Sequence, residues 1–201
     1  MITFSEIMNN FLIFAKPASL GKQAQKLKTM TPVAEAKERY RPQNIKLIFI
    51  AEAPPCATDR FFYFEDVQKG DSLFLHIIRA VFPDLEQWQT KEIRARKEEL
   101  LYRFMEEGYF LDHSVPESIP KGTRPKDKVA IIKNEQAGLI KRIEEYKSHA
   151  KLVLISANVF TLNYEILHNA GFDILNDFKI PYPGSGQQGK FKDGIAQIDV
   201  Y

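Results

Sequence analysis

The sequence predicts an α/β sandwich built on a mainly parallel sheet, and three observations carry that prediction. Four short apolar runs, at 45–50, 108–111, 151–155 and 172–175 continuing toward 180, are spread along the chain. The first and third are nearly continuous in Ile, Leu, Val and Phe, the pattern of strands buried on both faces of a parallel sheet. Between the runs apolar residues recur at helical spacing, so strands alternate with helices. At 201 residues the chain fits one domain. We read 1–201 as that domain, with a helical and basic N-terminal extension, 1–43, packed on an α/β core, 44–201.

Taken in order, residues 1–16 read as an amphipathic helix through Ile2, Ile7, Phe11 and Phe14. Residues 17–43 are polar and basic, with Lys22, Lys26, Lys28, Lys37, Arg39 and Arg41 set against Glu35 and Glu38. After the first strand, 72–82 repeats Leu73, Ile77, Ile78 and Val81, with Asp71 placed as its cap. Residues 85–107 read as one long charged helix with Leu100, Leu101 and Phe104 on a single face. The second strand leads into a basic loop over 115–132, where Pro116, Pro120 and Pro125 alternate with Lys121, Arg124, Lys126 and Lys128. A helix over 134–150 uses Leu139, Ile140, Ile143 and Tyr146. The third strand precedes a helix over 159–169 that stops at Ala170-Gly171. A single helix follows the last loop.

Composition narrows the function classes. The chain is 44% hydrophobic and 27% charged, which suits a soluble fold. No apolar run approaches the roughly 18 residues of a membrane span, and the opening stretch lacks a basic n-region and a cleavage motif. A cytoplasmic protein with no membrane partner is expected. One Cys excludes an internal disulfide and a Cys-held zinc or iron–sulfur site. Four His show no ligand spacing, so no metal and no cofactor is expected. The net charge of +2 is too small to predict nucleic-acid binding by itself, but the two basic stretches offer a local face for it.

In an open α/β sheet, ligands bind beyond the carboxyl ends of the strands. The first run is followed by Ala51-Glu-Ala-Pro-Pro-Cys56 and then Arg60-Phe-Phe-Tyr-Phe64, and the second by Asp112-His-Ser-Val-Pro116. The third leads into Ser156-Ala-Asn158, and the fourth into Pro181-Tyr-Pro-Gly-Ser-Gly-Gln-Gln-Gly-Lys-Phe191. These loops should share one crevice. Glu52 follows a central strand and is aimed by two prolines. Four consecutive aromatics, Phe61 to Phe64, cannot all face one core, so at least one should be near the crevice as a platform for a flat ring. Gly184 to Lys190 matches the spacing of a phosphate-binding loop, but Phe191 stands where that motif needs Ser or Thr for Mg²⁺.

These residues resemble a known family. Ile48-Phe-Ile-Ala-Glu-Ala-Pro-Pro55 is similar to the G-E-A-P-G strand and loop of the uracil-DNA glycosylase superfamily. Tyr109-Phe-Leu-Asp112 resembles its second strand, and Ile180-Pro-Tyr-Pro-Gly-Ser185 lies where it carries an H-P-S loop. Order and spacing agree over roughly residues 44–200. The chain looks most similar to a bacterial branch with A-E-[AS]-P-P and P-[FY]-P-G-S-G-Q-Q motifs. The resemblance implies a three-layer α/β/α sandwich with a central four-stranded parallel sheet. It also implies a monomer acting on DNA, with a pocket for a flipped nucleobase.

By that resemblance, Glu52 and Tyr182 are the catalytic candidates, and Phe62, Tyr63, Phe64, Asp112 and His113 bind the base. The loop Pro183, Gly184, Ser185, Gly186, Gln187 and Gln188 enters the DNA. Cleaving an N-glycosidic bond builds positive charge on the sugar, which a carboxylate stabilises. Asp112 replaces the superfamily's usual Asn; an ionised carboxylate only accepts hydrogen bonds, which favours a base presenting an exocyclic amine. Pro181 or Tyr182 replaces the usual His, and losing such a donor costs about 3–4 kcal/mol; Tyr182, Ser185 or Gln187 could substitute. The leading expectation is excision of a damaged or deaminated base. The alternatives are a catalytically impaired nucleic-acid or nucleotide binder, and a small-molecule hydrolase using Glu52, Asp112 and His113.

Overall fold

Four parallel strands, β1 (Leu47–Ala51), β2 (Tyr109–His113), β3 (Lys151–Leu154) and β4 (Asp173–Ile174), form one sheet in the order β2-β1-β3-β4. They belong to a computed structural model that describes residues 30–184 and 186–198. The chain divides into two compact units, 1–39 and 40–201. The predicted helix over 1–16 and most of the basic stretch that follows lie outside the described residues. Within the first unit, α1 (Pro32–Arg39) starts on a proline at its first position. Thr31 caps it, its Oγ1 accepting from the Ala34 N–H at 3.3 Å.

The second unit is the expected three-layer α/β/α arrangement. All five residues of β1 are buried, as its continuous apolar sequence requires for a central strand. The helices around the sheet are α2 (Ser72–Val81), α3 (Thr90–Ala95), α4 (Lys97–Glu106), α5 (Pro125–Asn134), α6 (Gln136–Ile143), α7 (Ala157–Asn169) and α8 (Gln188–Ala196). Leu73, Phe74, Ile77, Ile78 and Val81 form the buried stripe of α2. Helix α4 packs on β2, and α7 packs on β3 and β4. Among the described residues, no helix is long and apolar enough to cross a membrane.

Four elements differ from the sequence expectation. The helix expected over 134–150 ends, as α6, at Ile143 and is followed by a 3-10 turn over Glu144–Tyr146. The stretch 85–107 is not one helix. A 3-10 turn at Pro83–Leu85 is followed by a fresh start at Thr90, where the Glu92 carboxylate accepts from the Gln89 N–H at 2.6 Å. Arg96 then leaves helical geometry (φ −116°, ψ 24°) between α3 and α4. The basic segment 115–132 is a loop only in its first half, because Pro125 opens α5. The fourth strand is two residues long. Beyond it the Asn176 amide takes over the pairing: its Oδ1 accepts from the Leu154 N–H at 2.9 Å and its Nδ2 donates to the Leu154 carbonyl at 3.2 Å.

At the opposite edge, Tyr63 plays the equivalent part for β2. Its hydroxyl accepts from the Leu111 N–H at 2.7 Å and donates to the Leu111 carbonyl at 3.2 Å. The side of an edge strand that no neighbour pairs is thereby closed. Tyr63→Phe should destabilise the fold by about 1–3 kcal/mol, the cost of leaving buried backbone groups unpaired. Denaturant unfolding measures this, and an unchanged midpoint would show that the hydroxyl is dispensable.

Candidate functional site

Beyond the carboxyl ends of β1, β2 and β3 the loops enclose a cavity of about 310 Å³. This is where the strand order predicts a site, since β1 sends one crossover to β2 and β3 lies on its other flank. The lining includes Glu52, Phe62, Asp71, His113, Ser156 and Tyr182. Two bonds join the loops after β1 and β2 into one wall. Ser118 Oγ donates to the Pro55 carbonyl at 3.0 Å, and Cys56 Sγ reaches the Ile119 carbonyl at 2.9 Å.

Glu52 is held from two directions. Asn158, in the first turn of α7, donates to Oε2 at 3.0 Å, and Lys128 of α5 lies 3.7 Å from Oε1. Both partners line up behind sequence features: Asn158 follows the third strand, and Lys128 comes from the basic segment. Phe62 and Phe74, both buried, give the cavity an aromatic wall, with ring centroids 5.4 Å apart in an edge-on pair. Arg60 also lines the cavity. Its aliphatic stem crosses Gly70 so closely that a Cβ there would sit 2.6 Å from Arg60 Cδ, and Gly70 adopts φ +79°.

The strand alternation separates two neighbouring candidates. His113 lines the cavity and its ring stacks on Phe61 at 6.1 Å. Asp112 is not among the lining residues. Successive side chains on a strand point to opposite faces, and the Asp112 carboxylate is engaged by Arg142 Nε at 3.6 Å and by the His113 N–H at 2.6 Å. Arg142 Nη2 also donates to the His113 carbonyl at 2.8 Å, clamping the end of β2. The amine-favouring argument built on Asp112 therefore has no place in this cavity.

Of the aromatic run, Phe62 lines the cavity. Tyr63 closes the sheet edge instead, and Phe64 packs edge-on against Phe61 at 5.3 Å without lining the cavity. From the last loop, Tyr182 lines it and is 44% exposed. Pro183, Gly184, Gly186, Gln187 and Gln188 do not; Gln188 borders a separate groove with His76 and Lys192. Ser185 lies outside the described residues. Among the described residues, no cluster of three or more His, Cys, Asp or Glu is placed to hold a metal.

Two site residues carry signals that the sequence pattern does not reveal. Asp71 occupies the N-cap position of α2, yet its side chain makes no cap bond. It turns instead to Arg94, which donates from Nη2 at 2.6 Å and from Nε at 3.1 Å. Lys97 is buried beside this pair. Its Nζ has no hydrogen-bond partner among the described residues and lies 4.3 Å from the centre of the Phe74 ring. Burial pushes the Lys97 ammonium down to about 8, with Asp71 opposing that shift. Ser156, between β3 and α7, adopts φ +89°, and its Oγ accepts from the Val159 N–H at 3.2 Å. A non-glycine residue in that conformation costs of order 1–3 kcal/mol, and such strain gathers at functional sites.

No family model, curated protein or solved structure matches the chain.

Both features are open to measurement. Ser156→Gly relieves the backbone strain at the expense of a few tenths of a kcal/mol in capping and some unfolded-chain entropy. It should raise stability by about 1 kcal/mol, and a lower thermal midpoint would refute the strain. Lys97→Met should stabilise the protein at pH 7 by about 1–3 kcal/mol. In the native protein the folded state sheds the Lys97 proton near 8 while the unfolded chain keeps it to 10.5. Stability from this group therefore rises with pH across that window, and the advantage of the methionine variant should shrink there. A difference independent of pH would contradict the burial of a charged amine.

Proposed function

We propose that the cavity is a nucleobase site and that the protein hydrolyses an N-glycosidic bond in DNA. The observation that carries this reading is that Glu52, the Phe62 ring and the Tyr182 phenol line one cavity at the strand ends. The four-stranded parallel sheet and the motifs at 48–55, 109–112 and 180–185 support it. An extruded base would lie against Phe62 and Phe74, where a flat ring gains stacking and burial.

The chemistry then follows from the placement of charge. As the bond to the base breaks, its electron pair leaves with the base and positive charge grows on the sugar. The Glu52 carboxylate stabilises that charge and orients water toward the anomeric carbon. Asn158 and Lys128 keep Glu52 aimed. One water proton is taken up at Glu52 as the new C–O bond forms and passes from there to solvent, from which the departing base gains its proton. Tyr182 supplies a hydrogen bond to the leaving base, the part a preorganised donor plays in other heterolytic cleavages. Lys121, Arg124 and Lys126, at and before the start of α5, are suited to phosphate contacts.

A second reading, a binder without catalysis, is favoured by the engagement of both Glu52 oxygens. The two readings part on product. Duplexes carrying uracil, hypoxanthine, xanthine or an alkylated base should yield abasic sites, and Glu52→Gln should slow the reaction about a hundred-fold or more. Salt-dependent DNA binding with no abasic product from any duplex would favour the binder.

A further inference from the structure

Asp71 and Ser72 open α2, and both act on the loop that carries Tyr182. The Ser72 hydroxyl donates to the Pro183 carbonyl, fixing the backbone one residue beyond Tyr182. Gly184 lies against the Tyr182 ring so closely that a Cβ there would come within 3.0 Å of Cε1. The ring thus lies against its own loop, whose backbone is held by the start of α2. The Asp71 carboxylate, with no solvent-exposed side-chain surface, borders the same cavity. It spends its side chain on Arg94 and on the field of Lys97, and makes no helix cap.

We propose that Asp71 and Ser72 are the positioning residues for Tyr182, Ser72 by holding the backbone of its loop and Asp71 by setting a carboxylate on the wall of the same cavity, where it opposes formation of the phenolate. The inference deepens the glycosidase reading above and rests on it for the identity of the acceptor, the departing base. A carboxylate next to a phenol disfavours the phenolate, and the Tyr182 hydroxyl is indeed held above its ordinary range, first by withdrawal from water and then by Asp71. With 44% of the residue open to solvent, water weakens both contributions. The other charged or titratable groups around the cavity are Glu52, Cys56, Arg60, His113 and Lys128, with Arg94 and Lys97 behind Asp71.

The test needs no substrate for its first arm. The phenolate absorbance of the native protein minus that of Tyr182→Phe isolates Tyr182 from the other seven tyrosines of the eight in the chain. The same difference in an Asp71→Asn background should titrate at lower pH. Asp71→Glu should return it toward the native position. Asp71→Asn leaves Arg94 and Lys97 less compensated, so Asp71→Asn with Lys97→Met provides a charge-balanced second background. If Tyr182 titrates at the same pH in all backgrounds, Asp71 does not act on it and the proposal is overturned.

The second arm uses a duplex that the native protein excises. The alkaline limb of kcat should move to lower pH in Asp71→Asn, and Ser72→Ala should lower kcat more than it raises KM. Limbs and ratios identical to native would overturn the positioning role even with activity present. Absence of excision by the native protein, with the Tyr182 shift observed, would remove the glycosidase reading and the donor role with it, but not the coupling of Asp71 to the phenol.

Discussion

The candidate site exists because β1 is flanked on both sides yet loses its two neighbours at different heights. Toward β2 the pairing continues past the strand, with the Ser114 N–H bonded to the Ala51 carbonyl at 2.7 Å and the Val115 N–H to the Glu52 carbonyl at 3.0 Å. Toward β3 the last backbone bond is from the Ile155 N–H to the Ile50 carbonyl at 2.9 Å. Beyond it the chain after β3 turns at Ser156 toward α7, and the loops part. A gap between parallel strands is where such sheets bind ligands. Side chains cross it in place of backbone: Asn158 reaches over to Glu52.

Charge in and around this gap is arranged in pairs. Glu52 has Lys128, Asp112 has Arg142, and Asp71 has Arg94. The pairs differ in what surrounds them. The Asp112 pair locks the end of β2 away from the cavity. The Glu52 pair stands at the cavity wall, where its charge is available to a ligand. In the third pair Asp71 is buried while Arg94 keeps part of its side chain exposed, and the buried ammonium of Lys97 lies beside them, a costly arrangement that apolar packing would replace at no loss of stability. Of this charged trio, Asp71 borders the cavity and so connects the helix start at 71–72 to the site.

Much of this was legible from residue patterns. Continuous apolar runs gave β1 and β3, and the rule that loops at strand ends converge brought Glu52, Phe62, His113 and Tyr182 to one cavity. What the patterns missed has physical causes. A period of two tells that Asp112 and His113 face apart, but not which of them faces the ligand. Asp71 matches an ordinary helix cap, and only the distant Arg94 reveals its other use. Tyr63 and Asn176 complete sheet edges through side chains, a role with no periodic signature. The strain at Ser156 lies in a backbone angle, and Ser in place of Gly conceals it.

The proposed nucleobase site in this cavity is open to a direct test. Titrating free uracil, hypoxanthine and an alkylated purine into the protein, while following backbone amide resonances, addresses it without requiring catalysis. Saturable shifts at Glu52, Phe62, His113, Ser156 and Tyr182 for at least one base are the predicted result. No shift with any base, or shifts confined to the groove at His76 and Lys192, would contradict it.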